Sequence, residues 1–126
     1  MNYDGFYLIN KPAGWTSFDV CAKLRKRFNT KKIGHTGTLD PFATGLLLVA
    51  VGKCTRLIPF LEKLPKTYRT QILLGSTSET LDPESEITVI KKSADFLQTD
   101  IQTALDQKFR GKIRQIPPKY SALRIG

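Results

Sequence analysis

The sequence predicts an α+β fold in which a mixed, largely antiparallel sheet is flanked by helices. Short strand-like apolar segments alternate with segments whose apolar residues recur at helical spacing. The 126 residues are 40% hydrophobic and 25% charged, which is typical of a globular domain. The sequence contains no internal repeat and no low-complexity tract. These observations together predict a single domain with a modest core.

The first third of the chain predicts a strand followed by a helix. Residues 6–9 form a short apolar strand that ends at the turn 11–14, which reads KPAG. Thr16, with Asp19 three residues later, forms a capping-box pattern and predicts a helix start. The apolar face of this helix comprises Val20, Cys21, Leu24 and Phe28. The basic side chains Lys23, Arg25, Lys26 and Arg27 fall mostly on the other face.

The rest of the chain predicts shorter elements. Residues 46–51 and 68–74 predict strands, and 55–62 predict a short helix that Pro59 makes irregular. Residues 75–86 predict a polar turn region, and 87–90 predict a further strand. A second capping pattern, Thr99 with Gln102, predicts a helix that ends before Gly111. Its apolar face comprises Ile101, Ala104, Leu105 and Phe109, and the proline-stiffened segment 115–123 predicts a projecting loop.

The charge distribution favours a polyanionic partner. Of a formal net charge of +9, six basic residues lie within 23–32 and six within 108–126, and neither block contains an acid. Such segregation is typical of a surface that neutralises phosphates, although a solvated basic face remains the plain alternative. No apolar run longer than six residues and no signal-peptide pattern is present. With two unpaired-looking cysteines, these features predict a soluble, cytoplasmic protein that binds no membrane.

The segment 34–45, which reads GHTGTLDPFATG, is the strongest candidate for a functional loop. It combines the sole histidine, His35, with one carboxylate, Asp40, next to a proline that restricts the backbone. Such a loop can present a carboxylate rigidly to a polar ligand. The alternatives are structural, because Asp-Pro is a common turn or helix cap and His35 can be a hydrogen-bonding loop residue. One histidine and two widely spaced cysteines predict no metal site.

Several motifs in order resemble the start of the catalytic domain of the TruB-type tRNA pseudouridine synthases. They are KPxGxTS at 11–17, GHTGTLDP at 34–41, ATG at 43–45 and GKCTR at 52–56. The later ones are KxY at 66–68, LG at 74–75, TxD at 80–82 and QIPPxYSAL at 115–123. The resemblance covers nearly the whole chain. It implies the pseudouridine synthase fold and an isomerase that uses no cofactor and no metal.

The resemblance also implies roles for individual residues. Asp40 matches the catalytic aspartate, which attacks either the ribose or the uracil ring; the sequence does not distinguish these routes. Tyr68 matches the tyrosine that stacks on the target base and assists proton transfer at C5, with a core strand aromatic as the alternative. The implied substrate is tRNA, bound through its T-arm and T-loop and modified at uridine 55, with no protein partner. The implied substrate-binding residues are Lys11, His35, Arg56, Asp82, Lys119 and Tyr120.

Departures from the family pattern lead to a further expectation. The residues before Asp82 are Ser78-Glu79-Thr80 rather than Thr-Asp-Thr, and Ser85 replaces a usual glycine. The family's later region carries a basic residue that pairs with the aspartate matching Asp82, further strands and an RNA-binding domain. We therefore expect residues 1–126 to be the N-terminal portion of a catalytic domain, incomplete at the C-terminus, with part of a thumb-like RNA-clasping segment at about 108–126. Such a portion should show little or no turnover alone.

Two other functions remain open on the residues alone. A non-catalytic tRNA-binding or RNA-folding module would use the two basic blocks and would not depend on Asp40 or Tyr68. A glycosidase acting on free carbohydrate fits less well, because no second carboxylate lies beside Asp40 in the sequence.

Overall fold

The computed structural model describes residues 3–91 and 96–116, which fall into two compact units. One unit spans Met1–Arg69 and the other Thr70–Gly126. No helix within the described ranges is long and apolar enough to cross a membrane.

The first unit contains a three-stranded antiparallel sheet. Strand β3 (Gly45–Val51) lies at its centre, between β1 (Gly5–Lys11) and β2 (Ile33–His35). In the register of β1, Gly5 lies opposite Val51 and Lys11 lies opposite Gly45. The predicted strands at 6–9 and 46–51 are therefore confirmed. Strand β2 was not predicted, because it has only three residues and a glycine at its centre.

One face of this sheet forms the core with helix α1 (Ser17–Phe28). The buried cluster comprises Val20, Cys21, Ile33, Leu47, Val49 and Val51. Tyr7 and Ile9 of β1 pack against this cluster, whereas Leu8, which alternates with them, is 71% exposed on the other face. This alternation is the pattern expected of a strand that is covered on one side.

Helix α1 begins as the capping pattern predicts. Asp19 N donates to Thr16 Oγ1 at 3.0 Å, and Thr16 N donates to Asp19 Oδ2 at 2.8 Å. The helix ends at Asn29, whose φ of 48° places it in the left-handed conformation that commonly terminates helices. The capping box therefore stabilises the helix that carries the basic residues Arg25, Lys26 and Arg27 in its last turn.

The segment after β3 forms a 3-10 helix (Gly52–Leu57) and then a single turn of α-helix, α2 (Ile58–Leu61). The predicted short helix is present, and Pro59 lies in the first turn of α2, where a missing N–H costs little. Gly52 has a φ of 63°, and a Cβ there would lie 1.6 Å from Asp4 Oδ1. Only glycine fits at this junction.

The described part of the second unit contains a two-stranded antiparallel ribbon and one helix. Strand β4 (Ser76–Thr77) pairs with β5 (Thr88–Val89), within the predicted strand 87–90, and helix α3 spans Gln98–Lys108. The cap of α3 differs from the prediction: Leu97 N donates to Asp100 Oδ2 at 3.1 Å, so Thr99 lies inside the helix. None of the described residues of this unit is buried.

One predicted strand is wrong. Residues 68–74 have no regular secondary structure, and Ile72 and Leu73 are 78% and 67% exposed. Alternation alone does not make a strand, because a strand also needs a neighbour to accept its backbone hydrogen bonds. The described pairings are all antiparallel, and the α+β fold class is confirmed.

Candidate functional site

The loop between β2 and β3 presents Asp40 at an exposed turn. Asp40 O accepts a hydrogen bond from Ala43 N at 3.0 Å, with Pro41 at the second position of the turn. The Asp40 side chain is exposed, and its carboxylate makes no hydrogen bond or ion pair with any described residue. The helix-cap alternative is therefore excluded by the structure. The carboxylate is free to meet a ligand.

Lys11 holds the residue that follows Asp40. Its side chain is fully buried, and Nζ donates to Pro12 O at 3.0 Å, Trp15 O at 2.5 Å and Pro41 O at 3.2 Å. These three acceptors use all three donors of an ammonium group, which compensates for its loss of water. The prediction that Lys11 contacts substrate phosphates is thus wrong. A phosphate cannot reach Nζ, which instead joins the turn after β1 to Pro41.

Two further contacts fix the same loop. Gly14 N donates to Pro41 O at 2.8 Å, and Leu39 N donates to Ser17 Oγ at 2.9 Å. Ser17 is itself buried at the start of α1. The residues before and after Asp40 are therefore both tied to the segment 14–17, while the Asp40 side chain stays unengaged. The sequence carries no signal for this role of Ser17 beyond its place in the KPxGxTS pattern.

His35 ends strand β2, opposite Val49. Its Nδ1 is buried and has no hydrogen-bond partner among the described residues. Nearby in the chain, an ideal Cβ at Gly37 would lie 3.3 Å from Lys66 Cε, so the Lys66 side chain lies over the loop. Lys66 Nζ donates to Glu62 O at 2.6 Å. Lys66 brings a positive charge to the Asp40 loop and was not among the predicted site residues.

Two predicted site residues of the first unit are exposed. The Tyr68 side chain is 67% exposed and makes no hydrogen bond or ring contact with the described parts of the chain. Arg56 is also exposed, in the 3-10 helix after β3, and is without a described partner. No hydrogen bond joins Tyr68 to Asp40 within the described residues.

Asp82 organises a loop of the second unit. Its Oδ1 accepts from Thr80 Oγ1 at 2.6 Å and from Glu84 N at 2.9 Å. Ser85 Oγ accepts from Thr80 N at 3.1 Å and lies 2.8 Å from Thr80 Oγ1. Ser85 therefore supplies contacts that the glycine usual at this position could not make. The substrate-binding role of Asp82 stays a prediction, and Lys119 and Tyr120 lie outside the described residues.

The basic face of α1 divides into engaged and free side chains. Arg25 Nη2 donates to Ile33 O at 3.1 Å, and its guanidinium lies 5.2 Å from the Phe18 ring centroid. Lys26 and Arg27 are exposed. The only acid of this helix, Asp19, is occupied by Thr16, whose side-chain and backbone hydrogen bonds lower the pKa of the Asp19 carboxyl. The helix therefore offers positive charge to an anion on this face.

The fold of the chain is similar to that of a solved structure. A crystal structure of a Cbf5-Nop10-Gar1 complex matches 95% of this chain and 31% of the matched chain, with a TM-score of 0.61 at 29% identity. Residues 25–126 match the family described as TruB family pseudouridylate synthase (N terminal domain). The chain belongs to this TruB family, as the resemblance of its motifs indicated.

Curated relatives carry the same assignment. The tRNA pseudouridine synthase B of Oenococcus oeni is 44% identical over 124 residues, which cover 98% of this chain and 42% of the relative. That of Lactococcus lactis subsp. cremoris is 48% identical over 127 residues, which cover 98% of this chain and 38% of the relative. The chain thus spans about two fifths of the length of these relatives.

Proposed function

We propose that this chain carries the nucleophile-bearing part of an enzyme that converts uridine to pseudouridine in the T-loop of tRNA, at uridine 55. The observation that carries this proposal is the Asp40 carboxylate, which is exposed and free while Leu39 and Pro41 are tied down. A nucleophile gains rate when it is held in place before the substrate arrives. The relatives' assignment as tRNA pseudouridine synthases supports the substrate class.

The reaction is an isomerisation and needs no outside reactant. The bond between C1′ of the ribose and N1 of uracil breaks, the base turns, and a bond forms between C1′ and C5. The proton on C5 leaves, and N1 gains a proton. Asp40 forms a transient covalent bond at either C1′ or the uracil ring, and Tyr68 assists the proton transfer at C5.

The target uridine must leave its stack before Asp40 can reach it, at a cost of a few kcal/mol. His35 lies on the strand that leads into the loop, and its partly exposed side chain supports a role against the opened T-loop. Lys26, Arg27 and Arg56 are exposed and can contact phosphates. No protein partner and no membrane is part of this proposal.

A chimera tests the activity directly. Residues 1–126 replace the matching N-terminal part of the Oenococcus oeni relative, and the product is incubated with unmodified tRNA. We expect pseudouridine at the T-loop position, and none from the same chimera carrying Asp40→Asn. A chimera that folds and binds tRNA but forms no pseudouridine would contradict the proposal. The unaltered relative serves as the positive control.

A second candidate is a tRNA-binding or RNA-folding module without catalysis. The exposed Tyr68 favours it, because no hydrogen bond or ring contact with a described residue fixes this ring. This candidate predicts salt-sensitive tRNA binding that Asp40→Asn leaves unchanged, and no pseudouridine from the chimera.

A further inference from the structure

Trp15, the sole tryptophan of the chain, lies between two grooves. The first groove, of about 440 Å³, has the apolar walls Ile9, Pro12, Val20 and Leu24 and the basic rim residues Lys23 and Arg27. The second, also about 440 Å³, is lined by Gly14, Asp19, Ala22, Lys23 and Lys26. Trp15 and Lys23 belong to both grooves, and Lys23 Nζ lies 4.9 Å from the Trp15 ring centroid.

The chemistry of the two grooves is complementary to a nucleotide. The first groove offers apolar walls and the part of the Trp15 indole that does not pack against the core, which suit a flat ring, and its rim is cationic. In the second groove the two lysines, Lys23 and Lys26, outnumber the single acid, Asp19, and leave a net positive charge. Aromatic stacking platforms beside cationic grooves are a common way to hold unpaired bases.

The second groove adjoins the Asp40 loop. Gly14 lines this groove, and its backbone N donates to Pro41 O at 2.8 Å. The carbonyl of Trp15 accepts from Lys11 Nζ, which also binds Pro41 O. A ligand beside Trp15 therefore lies next to the turn that presents Asp40.

The geometry points to a single-nucleotide site at Trp15: the base of an unpaired RNA nucleotide packs against the indole, and its phosphate is bound by Lys23 and Lys26. This inference rests on the proposed RNA substrate and adds a contact beside the target uridine. An acidic peptide would satisfy the lysines but would leave the apolar groove unfilled. The absence of any acid in 20–32 also favours the denser charge of RNA.

The sole tryptophan makes the test specific. The 126-residue chain is titrated with an unmodified tRNA T-arm hairpin while Trp15 emission is recorded. We expect saturable quenching with a midpoint that matches the affinity from filter binding. Lys26→Gln should weaken binding about fivefold or more and should lower the slope of log K against log salt by about 0.7. Lys63→Gln, an equal loss of charge at an exposed lysine elsewhere in the first unit, should change neither.

Further variants separate stacking from charge. Trp15→Phe keeps a ring and should bind within about twofold of the parent, whereas Trp15→Leu should weaken binding about fivefold or more. If Trp15→Leu fails to fold, the quenching of Trp15 in the parent tests stacking, and Lys23→Gln, which keeps the reporter, tests the contribution of charge. RNA binding without a change in Trp15 emission would overturn the site. So would equal effects of Lys26→Gln and Lys63→Gln, or stronger quenching by a polyglutamate peptide.

This experiment and the chimera can fail separately. Quenching with an inactive chimera would keep the nucleotide site and remove the catalytic proposal. An active chimera whose Trp15 emission does not change on RNA binding would keep the catalytic proposal and remove the nucleotide site.

Discussion

The buried ammonium of Lys11 lies 3.2 Å from the carbonyl oxygen of Pro41, which joins the end of the first strand to the residue after the proposed nucleophile. The same ammonium binds two carbonyls of the intervening turn. A single side chain therefore sets the position of two loops that are 26 residues apart, from Trp15 to Pro41. Replacing it should affect stability and activity together.

We expect Lys11→Met, which keeps the unbranched side chain as far as Cε, to remove one donor from three carbonyls, of which Pro41 O retains its hydrogen bond from Gly14 N. The free energy of unfolding should fall by about 1–3 kcal/mol, the usual cost of leaving a buried polar group unpaired. Urea unfolding followed by Trp15 fluorescence measures this loss. Lys63→Gln is the control, and an unfolding midpoint equal to that of the parent would show that the Lys11 contacts carry no stability.

Ser17→Ala tests the contact on the other side of Asp40. Leu39 N would lose its acceptor, and unfolding should become easier by about 1–2 kcal/mol. In the chimera the same change should reduce the rate of pseudouridine formation more than it reduces tRNA affinity, because the carboxylate becomes less well positioned. Thr103→Ala, at an exposed position of α3, provides a control that should change neither quantity.

Asp40→Asn should separate function from stability. The carboxylate makes no contact with the described residues, so the unfolding midpoint should stay within about 0.5 kcal/mol of the parent. The chimera carrying this change should bind tRNA and form no pseudouridine. Residual turnover well above background would reject Asp40 as the nucleophile.

Acid should weaken the start of α1 through Asp19. Its pKa is lowered in the folded chain by the hydrogen bonds with Thr16, so its contribution is complete above the unfolded pKa and is lost as pH falls through the lower, folded pKa. The stability difference between the parent and Asp19→Asn should therefore shrink between about pH 6 and about pH 2. Urea unfolding at each pH measures this difference. A constant difference would mean that the Asp19 charge does not act through the cap.

We expect the 126-residue chain alone to release little or no tritium from tRNA labelled at C5 of its uridines. Tyr68 is exposed and unpaired among the described residues, and no described residue of the second unit is buried. Efficient catalysis requires that neighbouring contacts hold both Asp40 and Tyr68 in position. Robust release from the T-loop position would contradict the expectation, and the active relative run in parallel confirms that the labelled substrate is sound.

Local signals made much of the fold predictable. The capping box of Thr16 and Asp19 lies within four residues, and the continuous apolar run of β3 is typical of a buried strand. Strand β2 could not be predicted from its own three residues, because it is defined by its pairing with β3. Segment 68–74 shows the reverse case: its apolar and polar residues alternate as in a strand, but it pairs with no described strand.

The site was predictable in its chemistry but not in its supports. The Asp-Pro pair and the surrounding glycines identified Asp40 as a presented carboxylate. The role of Lys11 depends on carbonyls at 12, 15 and 41, and no local pattern indicates that a lysine will be buried among them. Lys66 and Ser17 likewise owe their roles to contacts made across the fold.

Through the hydrogen bond from Leu39 N to Ser17 Oγ, the first turn of α1 fixes the backbone next to the proposed nucleophile. Helix ends fray at lower temperatures than sheet interiors melt. In the proposed full-length enzyme, moderate heating should therefore lower turnover while β3 remains paired, before global denaturation.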